Sequence, residues 1–413
     1  MFGKKPAARK RPVRQKTSKL YEDAMHPQAP KPDVPSLKPL LTFGAYVLIM
    51  ASAGVASIAV GQLPFGVGVL VIGVLPAVLV LGMASKLLPR LMGRRAPIQV
   101  GELGDWLGEG GEHLVREQSR GLLGPELETL ERNRAALAEE ACAWLSYVGG
   151  GSVEERFGAV ELEAEDGARL VGHLFEANPG SERWLVFAHG LDGTWRAGLT
   201  YAARAAAAGC NLLFVEMRGH GASGGEWVGA SWLDRRDLVC WCRWLVGRAG
   251  EGARIVLAGQ SLGAASALAA CGEHDLPPQV KACVSDSAFT DWWNVSVHAM
   301  AAGLGGAQPV PAHPLLDLMR FMLRLRKGGY DVAKARPVDA IVHAKVPVLL
   351  IQAADDRMVE PWMAERLAEA AGGVAAGEGH RLLSVPAAGH CCALFADPDA
   401  YWAAIGDFLA RYL

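Results

Sequence analysis

The 413-residue chain has no Cys-x-x-Cys pair among its eight cysteines and no His-Glu-x-x-His stretch. Cysteines at 142, 210, 240, 242, 271, 283, 391 and 392 therefore fit neither a disulfide framework nor a metal knuckle. They are read as small apolar fillers in a reducing compartment, with no metal and no cofactor expected. Charge is also missing, over one long stretch. Between Lys38 and Lys86 lie 47 residues without an Asp, Glu, Lys or Arg. That excludes a surface helix of a soluble domain, which needs a polar face, and a cleavable signal peptide, because the run starts late and is about twice too long. A bilayer-spanning helix takes about 20 apolar residues, so 39–85 reads as two transmembrane helices, near 40–60 and 65–84, joined by Gly61-Gln62-Leu63-Pro64.

What charge there is falls unevenly. Residues 1–38 hold ten Lys or Arg against three Asp or Glu, a balance of +7, so the formal −2 of the whole leaves −9 for the remainder. Lys86, Arg90, Arg94 and Arg95 follow the apolar run, and its central turn carries no charge. The positive-inside rule puts both flanks in the cytoplasm. Residues 1–38 are expected to be a disordered basic cytoplasmic tail touching anionic headgroups rather than a nucleic-acid arm. Residues 86–150 are expected to be a juxtamembrane linker and helix. The linker is Gly-rich; the helix, near 124–146, is marked by Leu127, Leu130, Leu137, Ala141, Trp144 and Leu145. The sequence Gly149-Gly150-Gly151-Ser152 then breaks the chain.

From 151 to the end, strand and helix signals alternate. A hairpin turns at Glu165-Asp166-Gly167. Short apolar runs at 184–190, 211–217, 254–260, 281–287, 346–353 and 380–387 are separated by helical stretches. This is the pattern of a mostly parallel sheet covered on both faces, an α/β fold, whose sites lie at the carboxyl ends of strands. One insertion, about 290–337, breaks the rhythm. Leu315, Leu316, Met319, Met322 and Leu323, extended by Leu318 and Leu325, would make a stripe on either an ordinary crossover helix or a cap over the strand ends. Trp292 and Trp293 would fill core, an acyl pocket or a headgroup contact.

The chemistry concentrates in four places. Gly259-x-Ser261-x-Gly263 falls where a strand turns into a helix, the setting in which a serine between glycines is a nucleophile held in a strained turn. Phe187-Ala188-His189-Gly190-Leu191 ends an earlier strand; the backbone N–H groups of Leu191 and Leu262 are candidates for holding an oxyanion. Asp355 and Asp356 follow the strand at 346–353, and His390 follows the last strand. Serine, acid and histidine thus come in the order expected for this architecture. A hydroxyl is a weak nucleophile until an imidazole takes its proton, and a buried carboxylate fixes that imidazole's tautomer. His189 and His220 are read as structural. Asp286 and Asp291 are alternative acids. Gly219-His220-Gly221-Ala222-Ser223-Gly224 matches a dinucleotide fingerprint literally, but no acidic residue ends a next strand at the expected spacing.

With "RGHGASGG", "GQSLG", "DSAFTD", "VPVLLIQAADDRMVEP" and "AGH", residues from about 155 to 413 resemble the α/β-hydrolases, near the serine-aminopeptidase-like and monoacylglycerol-lipase-like branches. The resemblance implies an α/β-hydrolase domain over 151–413 with Ser261, Asp356 and His390 as the triad. Ile351 and Val359 frame the family's acid stretch, which selects Asp356 over Asp355. Gln352 and Ala353 stand where the family usually has His and Gly. The expected activity is that of a membrane-tethered serine hydrolase on a small-molecule or lipid-like acyl substrate, an ester or thioester. A peptidase or amidase and a non-catalytic membrane scaffold are the alternatives.

Overall fold

The computed structural model describes residues 33, 35–96, 101, 103–108, 110–303, 309–372 and 379–413; nearly all of the basic tail expected over 1–38 lies outside them. Eight strands form one sheet: β1 (Gly158–Glu163), β2 (Arg169–Phe175), β3 (Arg183–Ala188), β4 (Asn211–Val215), β5 (Arg254–Gln260), β6 (Val280–Asp286), β7 (Val348–Ala353) and β8 (Arg381–Val385). Their order is β1-β2-β4-β3-β5-β6-β7-β8. β1 and β2 form the expected hairpin, with Gly167 at φ +82° in the turn. β2 meets β4 antiparallel, and every later pairing is parallel. Register brings the strand ends level: Ala188 pairs with Gly259, Gln260 with Asp286, Asp286 with Ile351, and Ala353 with Val385.

The inner strands are continuous apolar runs because both faces are covered. β4 and β7 are buried at every residue. On one face, the helices Asp234–Ala249, Leu262–Cys271 and Pro361–Ala370 bury Leu238, Trp241, Leu268 and Met363; on the other, Leu199–Ala207 and Pro398–Tyr412 bury Tyr201, Tyr401 and Phe408. The helix Gly124–Tyr147 belongs to this second face. Its Leu130, Leu137, Ala141 and Leu145 lie in the same core as Phe187 and Phe214.

Two long apolar helices, Lys38–Ala59 and Leu63–Met92, precede the α/β domain. They are close-packed through small residues: a Cβ on Gly54, Gly66 or Gly73 would overlap Leu70, Ile58 or Met50 of the opposite helix. The second helix runs eight residues past the end expected from hydropathy. At 1.5 Å per residue its 30 residues span about 45 Å, more than a hydrocarbon core of about 30 Å. The extra turns are amphipathic, with Ala84, Leu88 and Met92 buried in the core of the α/β domain. Charged residues end the apolar run at Lys86, but the helix continues because its last turns pack on protein.

The insertion contains the helices Trp292–Ala302 and Leu315–Arg324. Leu315, Leu316, Met319 and Leu323 are buried as the stripe requires. Leu318 and Met322 are partly buried, and Leu325 is 71% exposed, outside the stripe. This helix packs on the second apolar helix. Each fully buried Leu or Met contributes about 1.5–3 kcal/mol, so the insertion is anchored. Trp292 and Trp293 are both core residues.

Candidate active site

β5 delivers the chain into the turn at Ser261, which has φ 51° and ψ −114°. Such a backbone costs on the order of 1–3 kcal/mol for a residue with a Cβ and persists only where its surroundings enforce it. The enforcement is visible in the neighbouring glycines. A Cβ on Gly259 would strike the backbone of Gly263 and Ala264, and one on Gly263 would overlap the Ala188 carbonyl. The Ser261 N–H donates to the Asp286 carbonyl at 2.8 Å, pinning the turn to β6. Leu262 opens the helix Leu262–Cys271, so its N–H is one of the four with no intrahelical acceptor.

His390 follows β8 and is buried; Asp356 follows β7 and is buried too. His390 Nδ1 lies 2.7 Å from Asp356 Oδ2, and His390 Nε2 lies 2.8 Å from Ser261 Oγ. An ionised carboxylate only accepts, so Nδ1 carries the proton and Nε2 is free to accept from the serine hydroxyl. The other Asp356 oxygen accepts the N–H groups of Met358 and Val359, both at 2.8 Å. Burial alone would lower the His390 pKa, but the Asp356 carboxylate overrides it and holds the imidazole well above its ordinary value, with Cys391 a further contributor.

The alternative acids are engaged elsewhere. The Asp286 carboxylate takes hydrogen bonds from Ser287 Oγ at 2.9 Å and Tyr401 OH at 3.0 Å; burial pushes its pKa up to about 6. Asp291 caps the helix Trp292–Ala302 through the Asn294 N–H. Asp355 is exposed, with its N–H given to the Ala388 carbonyl.

His189 and His220 are both engaged by backbone groups. His189 Nδ1 bonds the Gly190 carbonyl at 2.7 Å and its Nε2 accepts the Met217 N–H at 3.0 Å. Burial, then the neighbouring His220, lowers its pKa to about 3. His220 bonds the Arg218 carbonyl and accepts the Asp192 N–H at 3.4 Å. The Gly219–Gly224 stretch is a loop, not the mouth of a helix; the next long helix begins at Asp234. Arg218 in that loop pairs with Asp237 and Asp166. Cys391 and Cys392 are buried free thiols. The cluster Glu273, His274 and Asp275 is the one metal-compatible group among the described residues. Its carboxylates already pair with Arg235, Arg236 and Arg243.

Three further residues support the site. Gln352 Nε2 donates to the Val359 carbonyl at 3.0 Å and to Asp356 Oδ2 at 3.3 Å. The amide thus substitutes a donor where related chains usually carry histidine. Tyr201 and Tyr401 bond through their hydroxyls, and Tyr401 donates to Asp286; no motif marks either residue in the sequence.

The arrangement can deprotonate a hydroxyl, stabilise the resulting imidazolium and offer backbone donors to an oxyanion. Comparison with known proteins agrees with the fold. The profile of the alpha/beta hydrolase family matches residues 185–404. An uncharacterized protein of Bacillus subtilis, YqkD, is 28% identical over 185 residues. That match covers 45% of this chain and 59% of the length of YqkD. An esterase of Pyrococcus furiosus superposes over 64% of this chain and 96% of its own, at a TM-score of 0.48 and 20% identity. An acylaminoacyl peptidase of Pyrococcus horikoshii superposes over 66% of this chain and 43% of its own, at a TM-score of 0.45 and 16% identity.

Proposed function

This chain belongs to the alpha/beta hydrolase family, and from that premise we propose that it is a membrane-tethered serine hydrolase acting on an ester or thioester of a lipid-like or acylated compound. One observation carries the proposal: a continuous chain of hydrogen bonds from Ser261 Oγ through His390 to Asp356, on a serine held at positive φ. Ser261 Oγ attacks the carbonyl carbon as its proton passes to His390 Nε2. The oxyanion forms against the N–H groups of Leu191 and Leu262. The tetrahedral intermediate collapses, His390 gives its proton to the leaving oxygen or sulfur, and an acyl-serine remains. Water, giving its proton to the same imidazole, then attacks the acyl carbon; the acyl–Oγ bond breaks, Ser261 Oγ takes the proton back from His390, and the acid is released. No step needs a metal or cofactor.

The membrane part of the proposal is supported by two helices long and apolar enough to span a bilayer. The basic flanks favour a cytoplasmic amino terminus and hydrolase domain, and a multi-pass membrane location. The lipid-like substrate follows from that location, not from pocket residues. The basic tail is assigned to anionic headgroups in this reading, not to a nucleic-acid partner.

A panel of nitrophenyl esters, acyl thioesters and aminoacyl anilides of several chain lengths, given to the full-length protein in lipid nanodiscs with a metal chelator present, tests the reading. Turnover of oxygen or sulfur esters is expected. Turnover confined to the anilides would favour the peptidase. No turnover from folded protein would favour the scaffold.

A further inference from the structure

Two side chains from well outside the family match contact the loop that carries Leu191. Arg95 and Asp105 both precede β1, and each reaches one end of this loop. The Thr194 N–H donates to Asp105 Oδ2 at 2.7 Å, and the Thr194 hydroxyl donates to Asp105 Oδ1 at 3.0 Å. On the other side of Gly193, the Asp192 carboxylate pairs with the Arg95 guanidinium. The same guanidinium bonds the carbonyls of Arg90 and Leu91, at 2.6 and 3.1 Å, in the last turn of the second apolar helix. Arg94 locks this junction by donating to the carbonyls of Ser223 and Gly221. The end of the second apolar helix is therefore fastened by a chain of polar contacts to the residue next to Leu191.

Packing holds the loop only in part: Leu191 is partly buried against the core and Trp195 is buried at the loop's far end. Behind it lies a cavity of about 230 Å³, lined by Arg95, His189, Gly193, Thr194, Arg196 and His220 among others. Asp192 is itself at φ 61°, a left-handed conformation uncommon outside glycine, though aspartate adopts it more readily than most residues. A loop with a cavity beside it and a left-handed residue within it gains from tethers that keep it in one conformation. Donors in an oxyanion hole act only when fixed in advance at the position where charge develops.

We propose that Arg95 and Asp105 are positioning residues that clamp the oxyanion loop, making the segment after the apolar hairpin a working part of the active site. The inference deepens the serine-hydrolase reading and rests on it. The clamp acts through the Leu191 N–H and touches no substrate. Its loss weakens transition-state binding and leaves ground-state binding alone. Other active-site loops meet the same extension: a Cβ on Gly389, beside His390, would overlap the Gln118 carbonyl, and one on Gly121 would overlap the Arg357 guanidinium.

The test compares Asp105→Ala, Arg95→Ala, Asp105→Asn, Arg95→Lys and Thr194→Val with wild type, as full-length protein in nanodiscs. Three quantities are read: kcat and KM on the best ester, and the inhibition constant of a trifluoromethyl ketone, whose serine adduct carries an oxyanion. Removal of a whole oxyanion donor costs about 10²–10³ in kcat. A displaced one is expected to cost the alanine variants roughly tenfold or more, with KM within about twofold. Ketone affinity is expected to fall by the same factor as kcat. Asp105→Asn and Arg95→Lys keep an acceptor and a cation in place and are expected to restore most of the activity. Thr194→Val removes one of the two bonds to Asp105 without disturbing a charge, so it reads the clamp even where an alanine variant fails to fold. Folded variants with unchanged kcat and ketone affinity, or with a raised KM alone, overturn the clamp. A wild type inert to every ester and to the ketone overturns the serine mechanism itself, and the clamp with it.

Discussion

Asp355 and Asp356 are adjacent, chemically identical and on opposite sides of the catalytic question, so exchanging each for asparagine separates them sharply. Asp356 is buried 2.7 Å from His390 Nδ1 and accepts two backbone N–H groups. As the serine proton moves to His390, an imidazolium forms beside this carboxylate. Two unit charges about 4 Å apart at an effective dielectric near 20 interact by about 4 kcal/mol, close to three powers of ten in rate. An asparagine would also turn its amide N–H toward Nδ1 and favour the wrong tautomer, an effect that reaches about 10⁴ in a serine protease. Asp356→Asn is therefore expected to lower kcat by about 10³ to 10⁴. Asp355 is exposed and enters the turn through its backbone N–H, which asparagine keeps; Asp355→Asn is expected to stay within about twofold. The assay is ester turnover by full-length protein, with thermal unfolding to confirm that both variants fold. A larger loss for Asp355→Asn would refute the assignment. Small losses for both would transfer the role to Asp286 or Asp291.

The pH profile and the topology give two more tests. The base must be neutral, and Asp356 holds the His390 pKa above its ordinary value. Ester turnover should thus rise with pH through a midpoint alkaline of about 6.5, and Asp356→Asn, which removes the largest opponent of burial and leaves only Cys391 against it, should move that midpoint to lower pH. An unshifted midpoint in the variant would contradict the pairing. A reporter fused after Leu413 should behave as cytoplasmic; a readout from the opposite side of the membrane would contradict the orientation drawn from the basic flanks.

Much of the fold was legible because its elements follow simple periods. Inner strands such as β4 and β7 are unbroken apolar runs, and the turn at Ser261 is written in its flanking glycines. Ser261, Asp356 and His390 each sit just past a strand, so chain order alone brought them to one edge of the sheet, and the geometry joins them. The helix Leu63–Met92 was underestimated because hydropathy reports where lipid-compatible sequence stops. It does not report where a helix finds protein to pack on, as Leu88 and Met92 do. The stripe on Leu315–Arg324 was readable as a buried face, but not its partner, since a period of 3.6 says nothing about what covers it. Arg95 was read for its charge alone. Its contacts with Asp192 and two helix-end carbonyls depend on residues distant in sequence, and no local pattern encodes them. Asp105 was silent for the same reason, and Gln352 was read only as a departure from the family's histidine, without its partners: a single polar residue becomes a tether only once the fold supplies Thr194 or Asp356 opposite it.

The central claim is an activated serine at the turn after β5. The most direct measurement is labelling of isolated membranes with a fluorescent fluorophosphonate, comparing wild type with Ser261→Ala. The account expects a labelled band at the mass of the full chain in wild type and none in the variant. Equal labelling of both, or no labelling of a well-folded wild type, would contradict it.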